Sequence, residues 1–376
     1  MDPAKPSRIL LLSAYDAASH RRWREQLTAT LSAYHWQVLA LPPRHFRWRI
    51  RGNALSWLEE PAMSGRWDLV VATSMVDLAV IKGFFPGLAS TPSVLYMHEN
   101  QFAYPTTHRQ HTSAEPRMVN LSAAVAADVV LFNSAWNLES FLDGVNEFLD
   151  RMPDAVPRGL LDDLRNKSQV LPVPVEDHLF MTRESPLDTA RPHLLWNHRW
   201  EYDKGPERLL SLLEALENRG LDFRLSVVGE QFRSRPPAFA AIRERHGRRL
   251  VHWGFMERRS DYDALLARAD VVLSTALHDF QGLSMLEAMA AGCLALAPHR
   301  LAYPEYVPAA QLYESHPHDP QREAEAAAAC LMGMLRAGEQ AAAPEAWRLS
   351  RLASRYGALF EEVMRGGTTS PLSTAL

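Results

Sequence analysis

Twice along this chain, short apolar runs alternate with stretches of helical periodicity, and that repeated alternation constrains the fold more than any other feature. The first series of runs is RILLLSA at 8–14, WQVLAL at 36–41, DLVVATS at 68–74, SVLYMHE at 93–99 and DVVLFNS at 128–134. Helical patterns fall between them, at about 19–34, 117–127 and 135–149. Strands that are apolar throughout, separated by helices, predict a parallel sheet covered on both faces. A Pro-rich zone at 152–159, 171–177 and 182–192 then reads as a linker. The alternation resumes with strands at 193–198, 223–230, 249–255, 270–276 and 293–298. A helix over 206–220 has Pro206 in its first turn and Gly220 at its end, and another over 260–269 has Ser260 as its N-cap. Residues 343–364 read as a terminal helix.

At ~100–200 residues per domain, 376 residues make two domains. The predicted bounds are 1–180 for the first, 181–345 for the second, and 346–376 for a helix packing back on the first, with a flexible tail. The fold class is α/β: two Rossmann-like parallel-sheet domains facing across a cleft, with ligands at the carboxyl ends of the strands. The composition is that of a soluble globular protein, with 47% hydrophobic residues and a net charge of −4. Cys293 and Cys330 form neither a disulfide framework nor a zinc motif, which points to a reducing compartment. The apolar run at 121–132 is too short to span a membrane and contains an acid. The first residues lack a signal-peptide core, so a cytoplasmic protein is expected.

The stretch HDFQGLSMLEAMAAG at 278–292 places Asp279 before a glycine turn and Glu287 one turn into a helix. At Gly282 the amides of Gly282, Leu283 and Ser284 would stand free at a helix N-terminus, where the helix dipole attracts phosphate. Glu287 would repel phosphate but can accept hydrogen bonds from ribose hydroxyls, and Asp279 from sugar hydroxyls. Acids on both sides of a phosphate cradle suit a ligand in which sugar, diphosphate and nucleoside lie end to end. The same acids could instead cap and solubilise a helix.

In order and spacing, DFQGLSMLEAMAAG resembles the retaining GT-B glycosyltransferases of family 4, the large group that includes sucrose-phosphate synthase and many mannosyltransferases. Asp279 stands where that family usually has Glu. The family also carries an Arg and a Lys five apart after the first strand of its second domain, here Arg199 and Lys204 in NHRWEYDKGPERLL. Two cations beside a diphosphate stabilise the leaving group without a metal. The resemblance further assigns the nucleotide and its base to the loops at Gly229 and Glu230 and at Trp253, Gly254 and Phe255. It sets a histidine near the reacting carbon of the donor sugar, here His98 in YMHENQFAYP at 96–105. No metal or other cofactor is expected.

A narrower resemblance runs along nearly the whole chain. SAYDAASHRRW, PPRHFRWRIRGNAL, LYMHENQFAYP, VVLFNSAWNLESFL, HRWEYDKGPE, VVGEQF and VHWGFM occur in the order and spacing of the tRNA-queuosine mannosyltransferase family. This chain lacks the linker insertion of the animal members and has Ala17-Ala18 where Gly-Gly is typical. The resemblance implies transfer of mannose from GDP-mannose to queuosine in the anticodon of aspartate tRNA, with retention of configuration. On that reading His20, Asn100, Gln101, Tyr104 and Asn133 face the acceptor.

The segment RHFRWRIRGN at 44–53 is the residue-level candidate for RNA contact. At strand periodicity Arg47, Arg49 and Arg51 share one face and Phe46, Trp48 and Ile50 the other, with Arg44 leading in. Guanidinium planes and an indole suit phosphates and unstacked bases. An amphipathic edge strand with a solvated basic face would show the same pattern. Two other functions remain open on sequence: a transferase of the same fold acting on a lipid, glycan or small metabolite, and a non-catalytic RNA-binding protein on a retired transferase scaffold.

Overall fold

The computed structural model describes residues 6–104, 113–180, 183, 186–232 and 235–366. The chain divides into two units: residues 1–173 with 350–376, and residues 174–349. Each unit is built on its own six-stranded, all-parallel sheet.

In the first unit the strands are β1 (Arg8–Ser13), β2 (His35–Ala40), β3 (Leu69–Thr73), β4 (Ser93–Met97), β5 (Val129–Phe132) and β6 (Ser168–Val170), laid out as β2-β1-β3-β4-β5-β6. Its helices are α1 (Ala18–Thr30), α2 (Phe46–Ser56), α3 (Leu78–Phe84), α4 (Pro86–Ala89), α5 (Glu115–Ala126), α6 (Ala135–Leu149) and α7 (Leu160–Asn166). One face of the sheet presents Leu10, Leu12, Val70, Ala72, Leu95, Met97, Val130 and Phe132 to a single core. Strand periodicity sends the alternate residues to the opposite face. There Tyr96 stacks on Trp23 of α1 at 4.3 Å between ring centroids. The Trp23 indole N–H donates to the Tyr356 hydroxyl at 3.0 Å, and that hydroxyl donates to the Pro172 carbonyl at 3.0 Å. The terminal helix therefore belongs to this unit's core.

In the second unit the strands are β7 (His193–Asn197), β8 (Arg224–Val228), β9 (Leu250–Gly254), β10 (Val271–Leu273), β11 (Leu294–Pro298) and β12 (Leu312–Tyr313), in the order β12-β11-β10-β7-β8-β9. The helices are α8 (Pro206–Asn218), α9 (Ala238–His246), α10 (Arg259–Arg268), α11 (Leu283–Ala290) and α12 (Pro320–Ala337), and α13 (Leu349–Met364) then returns to the first unit. Here the alternation is visible strand by strand. Leu194, Trp196, Val271, Leu273, Leu294 and Leu296 feed one core, while Leu195, Val272, Ala295 and Ala297 feed the other.

Three readings of local structure are corrected. Residues 46–56 are helix, not strand, because Ile50, Ala54 and Trp57 are buried at helical spacing and outweigh the alternating arginines. The Pro-rich stretches are not one continuous linker: α7 and the edge strand β6 stand between the first two of them. Ser260 is not an N-cap, because α10 starts at Arg259 and no side chain caps it. Among the described residues no helix is long and apolar enough to cross a membrane. Cys293 is fully buried and burial pushes its thiol up to about 12; Cys330 is half-buried, and both are free.

Candidate active site

In the second unit the chemistry gathers where β7 and β10 end. After β10 the chain turns through Ser274–Gln281 and enters α11 at Gly282, whose φ is +76°. A β-carbon there would lie 2.2 Å from the Tyr306 hydroxyl, so glycine is required by both backbone and space. Asp279 Oδ1 accepts from the Gly282 amide at 3.0 Å, and Oδ2 accepts from the Tyr303 hydroxyl at 3.3 Å. The Gly282 amide, which the sequence pattern predicts to be free, is instead taken by the turn's own aspartate.

Lys204 reaches the same turn from the other side. Its Nζ donates to the His278 carbonyl at 2.7 Å and lies 3.4 Å from Asp279 and 3.5 Å from Asp203. The loop that carries it is pinned: Thr275 Oγ donates to the Lys204 carbonyl at 2.9 Å, and the Trp196 indole donates to Thr275 at 3.0 Å. Burial pushes the Asp279 carboxyl up, but Lys204, His198, His278 and the Gly282 amide outweigh it and hold the group below its ordinary value. Burial, with Lys204 next in size, holds His278 down to about 4. His198 is likewise held down to about 4, first by burial.

Arg199 follows β7 and pairs with Glu201 at 2.8 Å, with its side chain 44% exposed. Gly229 and Gly254 meet at the ends of β8 and β9, where the Gly229 amide donates to the Gly254 carbonyl at 3.4 Å. A β-carbon on Gly229 would sit 1.8 Å from the His198 carbonyl oxygen. Glu230 and Phe255 are exposed, and half-buried Trp253 packs edge-on against Trp200 at 4.8 Å. Leu283 and Ser284 form the first turn of α11 and are half-buried.

Glu287 is buried, and its carboxylate accepts from Arg259 at 2.9 Å and from the Tyr262 hydroxyl at 3.3 Å. Asn197 at the end of β7 ties Tyr262 and the Ser284 carbonyl together, at 3.0 and 2.9 Å. Arg259, Tyr262, Tyr303 and Asn197 were not singled out in the sequence. Arg259, Tyr262 and Tyr303 lie far along the chain from the acids they engage, Asn197 engages none, and no spacing signal marks any of the four.

In the first unit His98 sits just past β4, buried against His20 of α1 with the two rings stacked at 4.1 Å. His20 Nε2 is 2.8 Å from Glu99 Oε2, and Ser74 donates to Glu99 Oε1 at 2.6 Å. His98 Nε2 and His20 Nδ1 are both buried without a hydrogen-bond partner among the described residues. Burial, with His20 next, holds His98 well below its ordinary value, so its ring is neutral. Glu99 and Ser74 were not among the expected site residues.

Asn100 and Asn133, expected to face the acceptor, are instead buried and tie the loops. The Asn100 amide donates to Asn137 at 2.8 Å, and the Asn133 amide donates to the His98 carbonyl at 2.8 Å. Gln101 is half-buried and Tyr104 is exposed. The arginines of 44–51 do not form one face. Arg51 is held by Asp77 at 2.7 Å and lies 3.5 Å from Glu115. Arg49 turns back to Ser56 at 3.3 Å, while Arg44, Arg47 and Trp48 stay exposed. Among the described residues no three His, Cys, Asp or Glu side chains gather as a metal site.

Comparison with known proteins supplies the family. Residues 180–338 match the model of glycosyl transferases group 1, and residues 8–175 match that of the tRNA-queuosine alpha-mannosyltransferase N-terminal region. The chain is 35% identical over 323 residues to the tRNA-queuosine alpha-mannosyltransferase of Drosophila melanogaster, covering 84% of this chain and 85% of the relative. Among solved structures, sucrose-phosphate synthase from Thermosynechococcus elongatus aligns with a TM-score of 0.65 at 16% identity, over 96% of this chain and 100% of the other. Anabaena HepE, in complex with UDP and glucose, aligns with a TM-score of 0.59 at 15% identity, over 95% and 100%. At those identities the likeness shows the fold, which is that of GT-B glycosyltransferases. The two family models together span nearly the whole length, and the chain belongs to the tRNA-queuosine alpha-mannosyltransferase family.

Proposed function

We propose that this chain transfers mannose from GDP-mannose to the queuosine base of aspartate tRNA, with retention of anomeric configuration. The observation that carries the reading is the family match over residues 8–175. The second unit's likeness is shared by glycosyltransferases at large, whereas the first unit's family is defined by this acceptor. An RNA acceptor supports a cytoplasmic setting.

On this reading the second unit holds the donor. Lys204 has three N–H bonds and spends one on the His278 carbonyl, which leaves donors for a diphosphate. Exposed Arg199 adds a second cation, and the first turn of α11 adds its amides and dipole. Asp279 aims Lys204 and shapes the turn. Glu287, held in place by Arg259 and Tyr262, is the carboxylate set for ribose hydroxyls. In the first unit the buried, unpartnered Nε2 of His98 supports a contact to the sugar.

The bond from the anomeric carbon to the diphosphate breaks, and the acceptor hydroxyl bonds to that carbon on the same face. Its proton passes to the leaving diphosphate, whose growing charge Arg199 and Lys204 offset. With two cations in that role, no metal is required, and a chelator leaves turnover intact. The reading is tested by GDP release from GDP-mannose with tRNA that contains or lacks queuosine. Release that depends on queuosine supports it; release indifferent to the tRNA overturns it.

A further inference from the structure

The exposed face of α2 is unusual for a helix start. Trp48 is 51% exposed, although an indole is normally covered. Its ring lies directly on Gly52, one turn on: a β-carbon at Gly52 would stand 2.7 Å from Trp48 Cδ2 and Cε2. A residue with any side chain at 52 would lift the ring. The glycine therefore seats the indole against the helix, with its outer face toward solvent.

Charge surrounds that face. Arg47 adjoins Trp48 at the start of the helix, whereas Arg51, one turn on, is taken by Asp77 at 2.7 Å and lies 3.5 Å from Glu115. Arg44 and Arg47 are exposed and make no ion pair among the described residues. The first turn of α2 contains no acid. Cations near a helix N-terminus are mildly destabilising, so folding alone gives no reason for them. An exposed aromatic ring with arginines beside it is the arrangement that grips a single-stranded base and its flanking phosphates.

We infer that this face of α2 is a stacking platform for an unpaired base of the RNA acceptor: the Trp48 indole, seated on Gly52, takes the base, and Arg44 and Arg47 take adjacent phosphates. The inference rests on the reading of the chain as an enzyme acting on tRNA and specifies how that tRNA is gripped.

The test is tRNA affinity of the full chain across a salt series, for the parent and for Trp48→Leu, Trp48→Phe, Gly52→Ala and Arg47→Ala. Stacking on one aromatic ring is worth about tenfold in affinity. Trp48→Leu and Gly52→Ala should each weaken binding by about that factor with the salt slope unchanged. Trp48→Phe should retain most of the affinity. Arg47→Ala should lower the slope of log affinity against log salt by about one. Gly52→Ala should not lower the melting temperature, because alanine is the better helix former. Trp48→Leu and Gly52→Ala binding tRNA as the parent does would overturn the inference while leaving the proposed reaction standing. Vesicles of phosphatidylglycerol in phosphatidylcholine provide the second arm: Trp48-dependent binding to vesicles with tRNA binding unaffected would also overturn it, in favour of a membrane. A parent chain that binds no tRNA would overturn the inference together with the reaction it rests on.

Discussion

The Lys204 ammonium stands 3.4 Å from the Asp279 carboxylate, and both side chains are largely buried, at 9% and 17% exposed. The pair joins the loop after β7 to the turn after β10. Replacing Lys204 with methionine strands a buried carboxylate, at a cost of about 3–5 kcal/mol. If Lys204 offsets the leaving group's charge as proposed, the substitution should also slow transfer on the order of 10²-fold. Adding Asp279→Asn to Lys204→Met should restore much of the melting temperature and none of the rate, which separates the pair's structural role from its chemical one.

His98 and Glu99 make an ordered prediction. If His98 contacts the sugar as proposed, His98→Ala should lower kcat on the order of 10²-fold. Glu99→Gln leaves the His98 ring in place but disturbs the His20 that stacks on it, and should cost about tenfold. Steady-state kinetics with saturating tRNA check the ranking. Equal losses would mean that Glu99 itself touches a substrate.

Buried histidines set the acid limit of stability. His193, His198 and His278 are each held down to about 4, in every case chiefly by burial, from an ordinary value of 6.5. Between pH 6.5 and about 4 the unfolded chain binds protons that the folded chain refuses. Unfolding free energy therefore falls with falling pH in that window, by up to about 1.4 kcal/mol per pH unit for each histidine. Thermal melts from pH 7.5 to 5 should show a steady decline that begins near 6.5. A flat profile would mean that these rings are reached by water.

Gly282 should not tolerate a side chain. Its φ of +76° disfavours alanine, and the added carbon would meet Tyr306 Oη at 2.2 Å and Tyr303 Cε1 at 2.9 Å. Strain of about 1–3 kcal/mol is expected for Gly282→Ala, with a raised KM for GDP-mannose because Tyr303 also holds Asp279. Tyr306→Phe in the same chain removes the nearest clash and should recover part of the melting temperature.

Much of this architecture was legible in the sequence, for a physical reason. Strands buried on both faces are apolar throughout, so β1, β3, β4 and β5 announce themselves, and α6 was bounded at 135–149 because Ser134 caps it. The short edge strands β6 and β12 bury too little to leave such a trace. Residues 46–56 misled because arginines alternate along them, while the deciding burial of Ile50, Ala54 and Trp57 is tertiary. In the site, Asp279, Gly282 and Glu287 stand in one local pattern and Arg199 and Lys204 in another, so both could be found. Arg259 and Tyr303, which engage Glu287 and Asp279, lie 28 and 24 residues from them, and only folding brings them close.

The most direct test of the central claim is mass spectrometry of nucleosides from queuosine-containing tRNA incubated with the purified chain and GDP-mannose, with UDP-galactose in parallel. The account predicts a hexose added to queuosine with GDP-mannose alone. Unmodified queuosine with GDP-mannose, or a hexose delivered from UDP-galactose instead, would contradict it.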